Sequence, residues 1–249
     1  MTAKEYRAAY PYLYETHLHT TEGSACAGSG GAGMAYACKT AGYTGIFVTD
    51  HNWHGNTAVD KSLPWEAFVE RFTKGYEAVK RVGDRIGLDV FFGWEAGYDG
   101  TEFLIYGRSK EWLLRHPEIR DASVEEQFSL VHAGGGIVVH AHPFREEYYI
   151  PQVRLFPDTV DGVEGINAAH RMYAHKKVFD ERAIAYGREH GFPLTAGSDI
   201  HSVNLSGGGM AFRRRLADAA DFVGAVRAQE DYILTDGERI YDRDGRVLA

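Results

Sequence analysis

Two cysteines in 249 residues, Cys26 and Cys38, cannot build a disulfide framework, and they fit a reducing compartment. Long apolar runs are missing as well. No stretch approaches the roughly 18 to 20 uninterrupted apolar residues that a membrane span requires, and the opening MTAKEYRAAYPYLYE carries no apolar signal core. A cytoplasmic protein with no membrane partner is therefore expected. Basic charge is in deficit: 27 Lys and Arg against 35 Asp and Glu leave a net charge of −8. That balance argues against nucleic acid held on a broad basic surface. It leaves room for a small anionic substrate, because bound divalent cations invert a local field. Repeats, low-complexity tracts and an obvious linker are also absent. One domain over residues 1–249 is expected, a length that single α/β barrels commonly reach. Nothing in the sequence fixes an oligomeric state.

What the chain does have is histidine, twelve in all, and several stand where strands should end. The stretch Thr16-His17-Leu18-His19-Thr20 is the centre. If Tyr12–His19 is a strand, alternation puts His17 and His19 on one face, and two imidazoles side by side make half a metal site. An isolated HxH is as easily a pair of ordinary histidines, so the later segments decide. Apolar stretches at Ile46–Thr49, Leu88–Trp94, Ile137–Val139 and Pro193–Ala196 run into Asp50-His51, Glu95, His140-Ala141-His142 and Asp199-Ile200-His201.

Between these strands the spacing predicts helices. Met34–Ala41 ends at Gly42, a C′ glycine. Ser62 and Pro64 open a helix carrying Trp65, Phe68, Val69, Phe72, Tyr76 and Val79 at helical spacing. Ser123 with Glu126 makes a capping box for Val124–His132. Met172–His190 reads as one long helix stopped by Gly191, and Leu216–Arg227 as a late one. Further strands are expected at Phe103–Tyr106, Gly162–Ile166 and Tyr232–Leu234, with a small hairpin over 239–247 turning at Asp244-Gly245. Such alternation predicts a parallel sheet, and a barrel of this type gathers its site at the C-terminal rim of the strands. Nitrogen and carboxylate ligands without thiolate suit Zn, Mn or Fe. A carboxylate such as Glu95 can bridge two ions, and such a pair polarises a substrate oxygen and acidifies a bound water.

The motifs His17-Leu18-His19, Thr49-Asp50-His51, Gly93-Trp94-Glu95, Ala141-His142-Pro143-Phe144 and Gly197-Ser198-Asp199-Ile200-His201 carry a resemblance, in order and spacing, to the PHP (polymerase and histidinol phosphatase) family over nearly the whole chain. The resemblance implies an α/β fold, a distorted (β/α)7 TIM-like barrel with two or possibly three divalent metals at its rim, and hydrolysis of a phosphomonoester or nucleotide. It implies that His17, His19, Glu95 and Asp199 hold one metal, that Glu95 bridges to a second with His142, and that His51 and His201 hold a third or touch the substrate phosphate. Proton handling falls to His51, Asp199 or His201. Two places depart from the pattern. Where many members carry an Asp or His five or six residues after the HxH, Ser24 and Ala25 stand here, with Glu22 and Cys26 as the nearest substitutes. After the glutamate strand only Asp99 or Glu102 is available, and His54 is a further substitute.

Arg145, just after His142-Pro143-Phe144, is placed to bind a phosphate in bidentate fashion, and His170 is a ligand or substrate contact. His140, on the strand face of His142, is either a ligand or a residue orienting one. Tyr148 and Tyr149 wall a pocket or simply pack, Gly207-Gly208-Gly209 is a flexible loop, and Arg213-Arg214-Arg215 is a solvated face. Cys26 has no partner base that would make it a nucleophile. Three functions compete: a metal-dependent phosphoesterase, the same metals cleaving an amide, lactone or carbon ester, and a non-catalytic module.

Overall fold

A computed structural model describes residues 1–249, apart from the side chain of Ala174. The chain opens with α1 (Ala3–Ala9), whose Thr2–Glu5 capping box closes both orphan donors. It continues through β1 (Tyr12–Glu15), α2 (Gly31–Thr40), β2 (Gly45–Val48), α3 (Trp65–Phe72), α4 (Lys74–Ile86), β3 (Asp89–Tyr98), β4 (Thr101–Tyr106) and α5 (Lys110–Arg115). Then come α6 (Val124–Ala133), β5 (Ile137–His140), β6 (Gly162–Asn167), α7 (Lys177–His190), β7 (Leu194–Gly197), β8 (Gly208–Phe212), α8 (Ala219–Arg227), β9 (Tyr232–Asp236) and β10 (Ile240–Asp242). Among the described residues no helix is long and apolar enough to cross a membrane.

The ten strands form one curled sheet in the order β10-β9-β8-β1-β2-β3-β4-β5-β6-β7. The expected closed, parallel seven-stranded barrel is not what the ladders form. The sheet is mixed and open, a half-barrel with β10 and β7 at its edges. Its far side comes back to β1 only beyond the strand ends, through the parallel bridge Leu18↔Ile200. The departure from parallel pairing starts at Asp99-Gly100. Both residues have positive φ, +49° and +82°, so they fold β3 straight back onto β4 with Tyr98 opposite Thr101. This is the two-residue hairpin that an Asp-Gly pair favours.

Other boundaries shift for local reasons. β1 stops at Glu15, so His17 and His19 lie past the strand rather than in it. The long helix expected from Trp65 onward is two, broken at Thr73, while Pro64, not Ser62, stands at the N-cap. The segment before Lys177 forms 3₁₀ turns at His170–Met172 and Ala174–Lys176 instead of helix. The capping box Ser123–Glu126 opens α6 as expected, and Gly191 ends α7 in the left-handed region. The glycines 207–209 are not a loop: Gly208 and Gly209 run in β8, where Gly209 (φ +146°) passes so close to β1 that a Cβ would meet Tyr14 O at 2.3 Å.

Alternation along β3 shows how the fold presents its site. Phe92, Trp94 and Ala96 pack outward with Phe68, Phe72 and Trp112 of α3 and α5. Phe91 stacks with Phe47 and Tyr14 on the other face, and Glu95 follows on that face four residues later, two alternations on. Phe222 of α8 packs against Phe47 and Tyr106, filling this side of the sheet below the polar end.

Gly75, in α4, lies against the loop after β1. Helix propensity alone credits Gly75→Ala with up to about 1 kcal/mol of stabilisation. A Cβ there would meet Thr20 Oγ1 at 2.0 Å and Asp50 Oδ2 at 2.7 Å, so the expected outcome is a loss on the order of 1–3 kcal/mol. A urea titration decides: an unchanged or raised midpoint overturns this account of the contact.

Candidate metal centre

Eight side chains from six places in the chain converge at the polar end of the sheet. Glu95 is central and 1% exposed. Its Oε1 lies 3.3 Å from His17 Nε2 and 3.1 Å from His142 Nε2. Its Oε2 lies 2.9 Å from His51 Nδ1 and 3.5 Å from His19 Nε2. Asp199 Oδ1 faces His19 Nε2 at 3.2 Å and His17 Nε2 at 3.5 Å. Glu102 lies 3.6 Å from both His51 and His142. His17 Nε2, His19 Nε2, His51 Nδ1 and Glu95 Oε2 are buried and near one another, yet none makes a hydrogen bond. Buried polar atoms are normally satisfied. Four that face each other without hydrogen-bond geometry are aimed at a shared point, as ligand atoms are. Four overlapping sets bring their ligand atoms within 4.8 Å of one another: His17-His19-Asp199, His17-Glu95-His142, His51-Glu95-Glu102 and His19-His51-His201.

The other nitrogen of each key histidine is fixed from behind. His17 Nδ1 lies 2.9 Å from Glu164 Oε1, and a carboxylate only accepts, so Nδ1 carries a proton and Nε2 is the nitrogen turned to the cluster. His19 reaches the same state through Ser24. The Ser24 hydroxyl gives its one proton to Asp50 Oδ1 at 2.7 Å, so its oxygen accepts from His19 Nδ1 at 3.1 Å. His201 Nδ1 donates to the Asp199 carbonyl at 2.8 Å, which frees its Nε2. Three histidines are thus held in the tautomer that ligates a divalent cation, and the donor set of imidazoles and carboxylates fits Zn, Mn or Fe.

The backbone carries the cost of this aim. His142 and Asp199 both adopt positive φ, +27° and +53°, conformations that residues with a Cβ rarely take and that gather at functional sites. The turn at His142 also separates it from His140. β5 ends at His140, which packs outward against Phe103 and Phe156 with both ring nitrogens unpartnered. His140 therefore does not share a face with His142 and is neither a ligand nor an orienting group. In β6 a register shift between Glu164 and Ile166 marks a bulge at Gly165, beside the carboxylate that receives His17 Nδ1.

Electrostatics follow the crowding. Burial works against charge on Glu95, but His17 and His51 hold it well below the usual carboxylate range. Asp199 is likewise held low against its burial by Arg145 and His17. The two HxH histidines move in opposite directions. Burial is the largest influence on both, yet Glu164, Asp199 and Glu95 push His17 up, while burial with His51 and His201 pushes His19 down.

The remaining candidates sort by position. Arg145 sits one turn past His142 and bonds Asp199. His170 lies behind Arg145 and reaches none of the ligand atoms. Asp50 is no ligand: it accepts from Thr20 N, Thr20 Oγ1 and Ser24 Oγ, and burial lifts it to about 6. Glu22 caps α2 through Gly31 N. His54 stacks on Tyr98 at 4.8 Å on the cleft wall. Asp99 is spent in the hairpin turn, and that turn returns Glu102 to the cluster. Cys26 borders the cleft; burial opposes its ionisation, but His201 and His51 bring it down to about 7. Arg213, Arg214 and Arg215 are paired with Asp231, with Asp221 and Glu230, and with Asp89, away from the site. A cleft of about 480 Å³ opens over the cluster, lined among others by Tyr98, Tyr148 and Tyr149.

Sequence reasoning missed Glu15 and Glu164. Glu15 Oε1 accepts from His17 N at 2.9 Å and from Ser198 N at 2.8 Å, so one buried carboxylate ties both ligand loops together. Each sits in an apolar strand, and a buried Glu in such a strand was the available clue.

No family model matches the sequence, and no curated protein matches it. Solved structures do. A two-domain protein of Bacteroides vulgatus containing a predicted PHP-like metal-dependent phosphoesterase superposes with TM-score 0.68 at 11% identity, covering 92% of this chain. This chain spans 66% of that two-domain protein's length. PsfC of Pseudomonas syringae gives TM-score 0.57 at 17% identity, with 87% of this chain and 89% of that one covered. A sulfate-bound amidohydrolase of Chromobacterium violaceum gives 0.52 at 13%, covering 76% and 87%. At these identities the likeness is one of fold: the chain folds as PHP-like proteins do.

Two outcomes test this geometry. Metal content by elemental analysis is expected to fall in His17→Ala and to stay unchanged in His140→Leu; loss of metal in the latter would put His140 back among the ligands. His140 also carries an acid signature. Burial holds its pKa down to about 3, below the ordinary value near 6.5. Between those values the unfolded chain binds a proton that the folded one does not, so stability falls as pH drops from about 6.5 towards 3. The slope is up to about 1.4 kcal/mol per pH unit. His140→Leu is expected to flatten the acid limb of a urea-midpoint against pH curve by that one proton.

Proposed function

We propose that this protein is a metal-dependent phosphoesterase acting on a small anionic phosphomonoester or nucleotide. The observation that carries the reading is Glu95, a buried carboxylate whose two oxygens each face two imidazoles. This is the arrangement a bridging ligand between two cations needs. His17, His19, Glu95 and Asp199 would hold one divalent ion, Glu95, His142 and Glu102 a second, and His51 with His201 a third. Bound there, such ions neutralise charge developing on the phosphoryl oxygens and acidify water.

The chain's own groups do the rest. Arg145 opens on the cleft and binds the phosphate with the guanidinium hydrogens that Asp199 leaves free. As water attacks phosphorus and the ester P–O bond breaks, the leaving alkoxide takes a proton. Where no third ion sits between His51 and His201, His201, about one-third exposed at the mouth, delivers it from Nε2 as an imidazolium. In that arrangement His51 takes the proton from the attacking water. Tyr98, Tyr148 and Tyr149 give the cleft an aromatic rim. The chain is read as one domain. The free thiols of Cys26 and Cys38 suit the reducing cytoplasm.

A second reading keeps the cations and changes the bond to an amide, lactone or carbon ester. The amidohydrolase neighbour favours it, although that protein holds sulfate, a tetrahedral oxyanion.

Kinetics on metal-loaded protein separate the two. Asp199→Asn and His17→Ala are expected to abolish phosphoester turnover. Arg145→Ala is expected to raise KM for a phosphomonoester ten- to a hundredfold, the worth of a charge-assisted hydrogen bond, and to weaken inhibition by inorganic phosphate. Unchanged phosphoester turnover in Arg145→Ala, together with no inhibition by phosphate, would transfer the assignment to the carbon-ester reading.

A further inference from the structure

Arg145 is held from a second side. Its Nε donates to His170 Nε2 at 3.1 Å, while its Nη2 donates to Asp199 Oδ2. His170 is 1% exposed, and its Nδ1 lies 2.7 Å from Asp180 Oδ1. Asp180 stands on α7, and the same oxygen also accepts from Asn167 N at 3.3 Å. The direction of every bond in this row is set from its arginine end. A guanidinium only donates, so His170 Nε2 must accept. The imidazole is then neutral with its proton on Nδ1, and Asp180 must receive it. Phe179 packs edge-on against the His170 ring at 5.5 Å, which keeps the ring from rotating out of the row.

We propose that Asp180 is a positioning residue: through His170 it fixes the orientation of Arg145, and so the hydrogens that Arg145 turns towards an oxyanion in the cleft. The inference rests on the reading of Arg145 as the phosphate-binding group. It assigns His170 an indirect role instead of a direct substrate contact. It also gives a reason for the 3₁₀ turn at His170–Met172. That turn sets His170 between α7 and the loop after β5, where a continuous helix would have carried it along the α7 axis. An arginine side chain with free torsions must surrender them to bind a ligand, and a neighbour that holds it in place beforehand removes that cost.

Two measurements on the full-length protein test this. The first is the protonation pattern of His170, read by ¹⁵N NMR of histidine-labelled protein and assigned with His170→Gln. The expected result is a protonated Nδ1 and a bare Nε2 at neutral pH. The opposite tautomer, or an imidazolium, overturns the proposal, and neither depends on what the substrate is. The second is calorimetric binding of inorganic phosphate to the metal-loaded protein. Asp180→Ala is expected to weaken binding about tenfold. Asp180→Asn, whose amide oxygen can occupy the acceptor position, is expected to stay within twofold of the native chain. The double variant Asp180→Ala with Arg145→Ala should bind no more weakly than Arg145→Ala alone. Additive losses, or equal losses in Asp180→Ala and Asp180→Asn, overturn the relay and indicate a merely structural aspartate. If the native chain binds no phosphate, the phosphoesterase reading fails, and the NMR result decides the relay by itself.

Discussion

A carboxylate buried among imidazoles is the constraint on which the rest of this structure depends. Glu95 sits on the face of β3 turned away from the helices, at 1% exposure, and an isolated ionised carboxylate at such depth is strongly disfavoured. It is tolerated only because His17, His19, His51 and His142 approach it from three different segments. Three of them, His17, His19 and His51, in turn leave nitrogens unpaired that only a proton or a metal ion can satisfy. Cation binding here would therefore be coupled to local folding at this end of the sheet. The outer carboxylates extend the same logic. Glu164 holds His17, Asp50 holds Ser24 and through it His19, and Glu15 holds the backbones of both loops that carry His17 and Asp199. Each negative group faces donors, so the negative charge is spread in layers outward from Glu95.

How much of this the sequence shows can be argued residue by residue. Apolar strands running into His, Asp or Glu were legible, because strand ends are where polar groups can emerge from a core without breaking it. His17, His19, His51, Glu95, His142, Asp199 and His201 do come together. The Asp99-Gly100 pair was legible too, as a two-residue hairpin, but strand–helix alternation argued for parallel neighbours and hid it. That one turn accounts for the antiparallel centre of the sheet and for the arrival of Glu102. Positive φ at His142 and Asp199 left no trace in composition. The bulge at Gly165 left only a glycine inside a strand, which is a weak sign. His140 misled because period-two alternation was carried past the end of β5, where the backbone no longer alternates. The break between α3 and α4 at Thr73 interrupts no apolar stripe, since Phe72 and Tyr76 keep helical spacing across it.

Ser24 shows how a departure from a pattern can preserve its purpose. Where many members of the resembled family carry a ligand, the Ser24 hydroxyl stands behind His19 instead. It accepts from His51 N at 3.0 Å and donates to Asp50, and it thereby fixes the proton of His19. A ligand position is lost and an orienting one gained. The second departure is met by Glu102 on β4, whose carboxylate lies 3.6 Å from His51 and His142. Metal sites tolerate such exchange because their requirement is a number of donor atoms at a point, not a donor from a given segment.

The cleft itself orders events. Glu95, Asp99, Glu102 and Asp199 line it, and among the described residues Arg145 is the one Lys or Arg that does. With a net charge of −8 on the whole chain, an oxyanion approaching this cleft meets repulsion that a single guanidinium, already engaged by Asp199, does not overcome. Cations held by the cluster would reverse that sign locally, and they would also draw on the Asp199 carboxylate that otherwise occupies Arg145. Their binding would then remove repulsion and free arginine hydrogens together. On that reading the affinity of the cleft for an anion would depend on cations through charge and through Arg145, before any bond is broken.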